Sequence, residues 1–325
     1  LGTNEDALNI TRRLIEEKGF TAIAIEGDWP ETYRVNEWVR GRGSDPSADV
    51  ALSGYARFPQ WMWGNEEIRE LVTWLRARNA THPTSGEAGV YGLDVYSLGT
   101  SSTAVVEYLR GVDPAAAERA LTHYRCFAPS GGDPQRYGAS LASGGRTCQE
   151  AGRAVLAMLE QRSATPPADL DARDALYSAL RNAHAVVNAE EYFRTLYRGG
   201  VNTWNLRDQR MAEGLQALEA HLASMTGRTP RVVVWAHNTH SGDARHTQSA
   251  AEGEHNIAQL VRERHGTAAV SVGFFTHRGT VMAADDWDEP GRVFTLRPAL
   301  PGSVSDVMHA AVTLGAPANF LLRLR

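Results

Sequence analysis

Apolar positions along the 325-residue chain alternate between two rhythms. In "NITRRLIEEKGF" the residues Ile10, Leu14 and Ile15 fall at helical spacing and Gly19 supplies a stop, which predicts a helix. The run that follows, "FTAIAIEG" (20–27), predicts a buried strand. "GVYGLDVYS" (89–97), "RVVVWAH" (231–237), "TAAVSVGFFT" (267–276) and "NFLLRLR" (319–325) predict four more. Strands parted by helical stretches predict an α/β fold, a largely parallel sheet flanked by helices. From Thr103 to Leu222 the pattern is helical, as in "GRAVLAMLEQR" and "ARDALYSALRNAHAVVNAEEYFRTLY". The expected organisation is therefore an α/β core of residues 1–102 and 223–325 with a helical insertion of residues 103–222.

Polar residues matter here by where they fall in that pattern. Glu26, Asp94 and His237 each lie at or just past the carboxyl end of a predicted strand. Open α/β sheets bind ligands in the crevice outside those ends, so one shared pocket is expected. A strand-end carboxylate that merely caps the next helix is the bland alternative. The third strand runs into "HNTH", with His237, Asn238 and His240. Zinc catalysis needs three protein ligands, and nothing in the sequence places His246, Asp243 or His255 as the third. Imidazoles beside an amide donor at a strand end suit proton transfer and carbonyl polarisation better. No metal and no cofactor are expected. Gly89 and Gly92 lack dinucleotide-site spacing, and Ser97 and Ser101 lack the context of a nucleophile elbow.

Composition narrows the setting. Lysine plus arginine number 33 against 38 acidic residues, a formal charge of −5 with no basic block, which argues against nucleic acid as a partner. No apolar run approaches the ~20 residues of a membrane span. Cys126 and Cys148 are expected as buried thiols in a reducing cytoplasm, with one bridge between them as the alternative.

Several collinear blocks together resemble the erythromycin esterase family: "FTAIAIEGDWPETYRVNEWVRG" (20–41), "FPQWMWGNEEIRELVTWLRARN" (58–79), "YGLDVYSLGTS" (91–101), "NAEEYFRTLY" with "WNLRDQRM" (188–211), "VVVWAHNTHSGDAR" (232–245) and "GEHNIAQLVRER" (253–264). The resemblance covers nearly the whole chain. It implies a metal-independent hydrolase that opens ester or lactone bonds with activated water. Residue by residue it implies catalytic roles for Glu26, Arg207, His237 and His240 and a substrate-binding role for Asp94. Trp29, Trp61 and Trp204, in matched blocks, are candidate pocket-lining residues. Asn238 is a candidate donor to substrate.

The departures carry information too. The family's early signature places its proposed general-base histidine where this chain has Leu1, and Asn4 and Ala7 stand at two further polar positions. Arg210 stands where the family has histidine. With Arg207 three residues before it on a helix, Arg210 is expected to face the pocket and attract a carboxylate or phosphate. The expected function is that of an erythromycin-esterase-like enzyme acting on a small-molecule metabolite with altered chemistry, a hydrolase or one repurposed as a lyase, cyclase or dehydratase. One alternative is hydrolysis with His237 or His240 as base, and another is a non-catalytic binding protein on the same scaffold.

Overall fold

The computed structural model describes residues 5–82, 86–199 and 202–315. Leu1, Asn4 and the strand expected at 319–325 lie outside them. The chain opens with α1 (Glu5–Lys18), β1 (Ala22–Ile25), α2 (Trp29–Val39), α3 (Ala48–Leu52), α4 (Glu66–Thr81) and β2 (Gly89–Gly92). Six helices follow: α5 (Gly99–Val112), α6 (Pro114–Tyr124), α7 (Pro134–Ala142), α8 (Gln149–Ser163), α9 (Leu170–Arg198) and α10 (Thr203–Thr226). Then come β3 (Val232–Trp235), α11 (Asn238–Ser241), α12 (Ile257–His265), β4 (Gly279–Ala283), β5 (Arg292–Leu296) and α13 (Val304–Thr313).

β1 lies at the centre of a parallel sheet of order β2-β1-β3, with Ala22 opposite Gly89 and Val232, and Ile25 opposite Gly92 and Trp235. The fold is thus α/β with a parallel sheet, as the alternating rhythm predicts. Side chains alternate along β1, and the two faces feed two cores. Ile23 and Ile25 join Val35, Val39, Leu71 and Leu75 from α2 and α4. Ala22 and Ala24 are small, and Met211, Leu215 and Leu218 of α10 pack on that face. A third core, built by α5 to α9, contains Val105, Val155, Leu159 and Val186.

Two expectations are corrected. Residues 267–276 form no strand: after a single 3-10 turn (Gly266–Ala268) the backbone is irregular, with Val270 81% and Phe275 64% exposed. An apolar run alone does not distinguish a buried strand from a surface segment. The unforeseen strands β4 and β5 instead pair with each other as an antiparallel hairpin. Cys126 and Cys148, expected as thiols, form a disulfide, a pairing that oxidising compartments favour. No described helix is long and apolar enough to cross a membrane.

Candidate active site

All three parallel strands end at the same edge, and the chain emerging from each contributes a charged or polar group. Glu26 follows β1 directly and its amide is held by the Trp235 carbonyl of β3 (2.9 Å). Gly92 closes β2 where a Cβ would stand 2.6 Å from the carbonyls of Gly27 and Asp28, so only glycine lets that backbone cross the strand end. Asp94, two residues on, bonds through its amide to Gly27 O (3.0 Å). His237, two residues past β3, caps α11.

The fourth contribution comes from the first turns of α10. Trp204, Arg207 and Asp208 recur at helical spacing and face the strand ends. Arg207 forms a bidentate pair with Asp94 (Nε–Oδ1 2.9 Å, Nη2–Oδ2 2.8 Å) and also donates to Glu26 Oε1 (2.8 Å). Its guanidinium fills the space between the two carboxylates. His240 lies against the same arginine, with Nε2 3.0 Å from Arg207 Nη1 and 3.3 Å from Glu26 Oε1. The other nitrogen, Nδ1, is 2.9 Å from Asp208 Oδ1, which also accepts from the amide of Ile257 (2.8 Å). Trp204 stacks on the His240 ring at 4.5 Å and 9°. Glu26 Oε2 accepts from the backbone N–H of His237 (2.8 Å). The structure therefore brings Glu26, Asp94, Arg207, His237 and His240 together, with Trp204 beside them.

The electrostatics of this cluster separate the two histidines. Burial acts against charge on His240, but the hydrogen bonds to Asp208 and Glu26 outweigh it and push the ring up to about 9. At neutral pH it is an imidazolium, which suits the indole face stacked on it. Charged, Nε2–H donates to Glu26; neutral, Nε2 accepts from Arg207, so the ring can change protonation state and keep a partner. For His237 partial burial comes first and lowers its value below the ordinary 6.5, leaving a neutral imidazole on the open side. Its Nδ1 accepts from the Thr239 amide N–H (3.3 Å) as the cap of α11 and lies 2.8 Å from Thr239 Oγ1; in the Nδ1–H tautomer the hydroxyl accepts instead and Nε2 is left with the lone pair. Burial likewise opposes ionisation of Glu26, yet His240 and Arg207 hold it well below the usual carboxylate range. Asp94 is also lowered: Arg207 overcomes a burial effect of opposite sign.

Other expected residues fall elsewhere. Arg210 turns away from Arg207 and pairs with Glu191 (2.7 Å) and Glu213 (2.8 Å) in a groove of about 370 Å³ between α8, α9 and α10. A three-residue step on a helix turns the side chain by about 60°, enough here to place it on another wall. Trp29 is 3% exposed in the core, packed on Tyr33, Tyr91 and Tyr177 with its N–H on Ser178 (3.2 Å). Asn238 donates its amide to Phe274 O (2.8 Å), so it ties down a loop. Trp61 is half-buried against Phe58.

Three residues were not legible as site residues. Asp208 sits beside Arg207 in "RDQRM", and an aspartate one step from an expected site arginine was the available signal. Arg57 donates to Asp28 Oδ2 (2.7 Å), reaches within 3.8 Å of Asp94 and lies over Tyr96 at 4.7 Å, while Arg207 lies 5.0 Å from the same ring. Nothing in its local sequence marks it or Tyr96.

A family model for erythromycin esterase matches residues 15–325. The departures at Leu1, Asn4 and Ala7 precede that range. Among solved structures, a Bacillus cereus protein aligns with a TM-score of 0.71 at 18% identity, over 92% of this chain and 69% of that one. A succinoglycan biosynthesis protein aligns at 0.64 and 19% identity, over 90% and 67%. A mutant of the erythromycin esterase EreC in its open conformation aligns at 0.60 and 14% identity, over 94% and 75%. At such identities the structures attest the fold.

Proposed function

We propose, from the premise that the chain belongs to the erythromycin esterase family, that it hydrolyses an ester or lactone of a small molecule with His237 as the base that activates water. The observation that carries this reading is the placement of an exposed imidazole, His237, and a buried one, His240 held by Asp208, on either side of Glu26. His240 is 2% exposed and protonated, so it has no free nitrogen to offer a water molecule. It acts by holding Glu26 ionised and fixed. Glu26 in turn accepts from the backbone N–H of His237 and offers its carboxylate to the attacking water. Arg207, 12% exposed at its side chain, and Arg57, 39% exposed, present N–H groups to a carbonyl oxygen that gains charge in the transition state.

The donor set argues for chemistry without a metal. Both His240 nitrogens are committed within the protein, and a guanidinium stands where a cation would have to bridge Glu26 and Asp94. A bound divalent ion there would face Arg207 directly. Arg210, where the family has histidine, lies outside the cluster, so that departure leaves the proposed chemistry untouched.

The test is turnover of simple esters and a macrolactone by the wild type, Glu26→Gln and Arg207→Lys. Loss of a positioned catalytic group costs on the order of 10² to 10⁴ in rate, so both variants should fall by that order while remaining folded. Absence of turnover on every ester and lactone, or full activity in Glu26→Gln, would overturn the reading.

A further inference from the structure

We infer that Phe58, Trp61 and Trp287 form an aromatic shelf at the mouth of the site that receives a flat or ring-bearing apolar part of the substrate. This rests on the hydrolytic reading above and narrows it to esters or lactones with a bulky hydrophobic portion. The shelf is continuous with the charge cluster because loop 57–63 is pinned to it at both ends. At one end Arg57 bonds Asp28 and approaches Asp94 while also donating to Phe58 O (3.1 Å). At the other, the Trp63 N–H donates to the Glu26 carbonyl (2.9 Å). Phe58 and Trp61 lie between these anchors in the chain and are half-buried.

The rings are arranged as a surface. Phe58 meets Trp61 edge-on at 5.3 Å and 87°, and Trp287 lies 4.9 Å from Phe58 at 53°. Trp287 arrives from the β4–β5 turn, whose Gly291 seats against the Trp61 ring where a Cβ would stand 2.6 Å from it. The segment before β4 is tied to α11 by the Asn238–Phe274 bond, so the hairpin is joined to both sides of the mouth. Trp287 nevertheless stays 53% exposed and Phe58 and Trp61 only half-buried. Three large rings left partly in water beside a polar reaction centre match the make-up of small-molecule sites, in which apolar walls bury the ligand and a few polar groups orient it.

The experiment compares kcat/KM for methyl 2-naphthoate and 2-naphthyl acetate with that for methyl acetate, in wild type, Trp287→Ala, Phe58→Ala and the exposed-hairpin control Val293→Ala. The wild type should favour whichever naphthyl ester seats its ring on the shelf. Trp287→Ala and Phe58→Ala should each cut that preference by about tenfold, chiefly through KM, given the area one ring covers. Val293→Ala should keep it. An undiminished preference in both ring variants overturns the shelf, even with the hydrolytic reading intact. If no ester turns over, the hydrolytic reading fails, and the shelf is then read from binding of 2-acetonaphthone, a ring ketone without a leaving group. An affinity lowered about tenfold in Trp287→Ala supports the shelf; an unchanged affinity overturns it.

Discussion

At the scale of single residues, the site is a division of labour between two imidazoles of the same type three positions apart. Asp208 draws the line between them: fully buried, it bonds His240 Nδ1, while the corresponding nitrogen of His237 meets only a hydroxyl and an amide of residue 239. Asp208→Asn should therefore lower the His240 value from about 9 and move the alkaline limb of kcat/KM down by about one pH unit or more; an unmoved limb would separate Asp208 from the chemistry. The same pair bears on stability. The folded-state value of His240 is raised above its ordinary 6.5, so its stabilising contribution is complete below about pH 6.5 and is lost as pH rises through about 9. Thermal unfolding should show the widest gap between wild type and Asp208→Asn near pH 6, closing towards pH 10. Glu26 and His237 were legible as members of the cluster because each follows a strand pattern, and His240 because it shares the HNTH run with His237. Asp208, Arg57 and Tyr96 were not, because their roles arise from contacts across elements. For the same reason Trp29 and Arg210 were misplaced: membership of a matched block says nothing of which way a side chain points.

At the scale of elements, three short parallel strands supply the edge and α10 supplies the clamp. These strands were readable as apolar runs closed by polar residues, and α10 from its helical spacing. The region after residue 266 was not, since its apolar run lacks a ladder partner among the described residues and its true hairpin is built of short strands with one face exposed and the other only half-buried. The disulfide was not the favoured reading, because two cysteines 22 residues apart with no other bridge beside them read first as buried thiols. It joins the 3-10 turn after α6 (Arg125–Ser130) to the start of α8, within the third core. Closing a loop of this length stabilises by about 3 kcal/mol in the chain-entropy account. Cys148→Ser should lower the unfolding free energy by roughly that amount and leave kcat nearly intact, because the bridge lies in a different core from the strand ends. A variant of unchanged stability would show that the bridge adds nothing to the fold.

At the scale of the whole molecule, two cores that share a sheet hold one end of it open, and the charge cluster occupies that end. Arginine fills the gap between the carboxylates, so dialysis against a chelator should leave turnover unchanged; chelator-sensitive activity restored by one divalent ion would show that the guanidinium is displaced in the working enzyme. The central claim is that His237 activates water while His240 stays charged. It is tested most directly by kcat/KM against pH for the wild type and His237→Ala on one hydrolysed ester. The wild type should give a bell, with an acid limb below pH 6.5 from His237 and an alkaline limb near 9 from His240. His237→Ala should lose on the order of 10² to 10⁴ in kcat/KM, and the acid limb should disappear. A His237→Ala variant that keeps the wild-type rate and both limbs would contradict it.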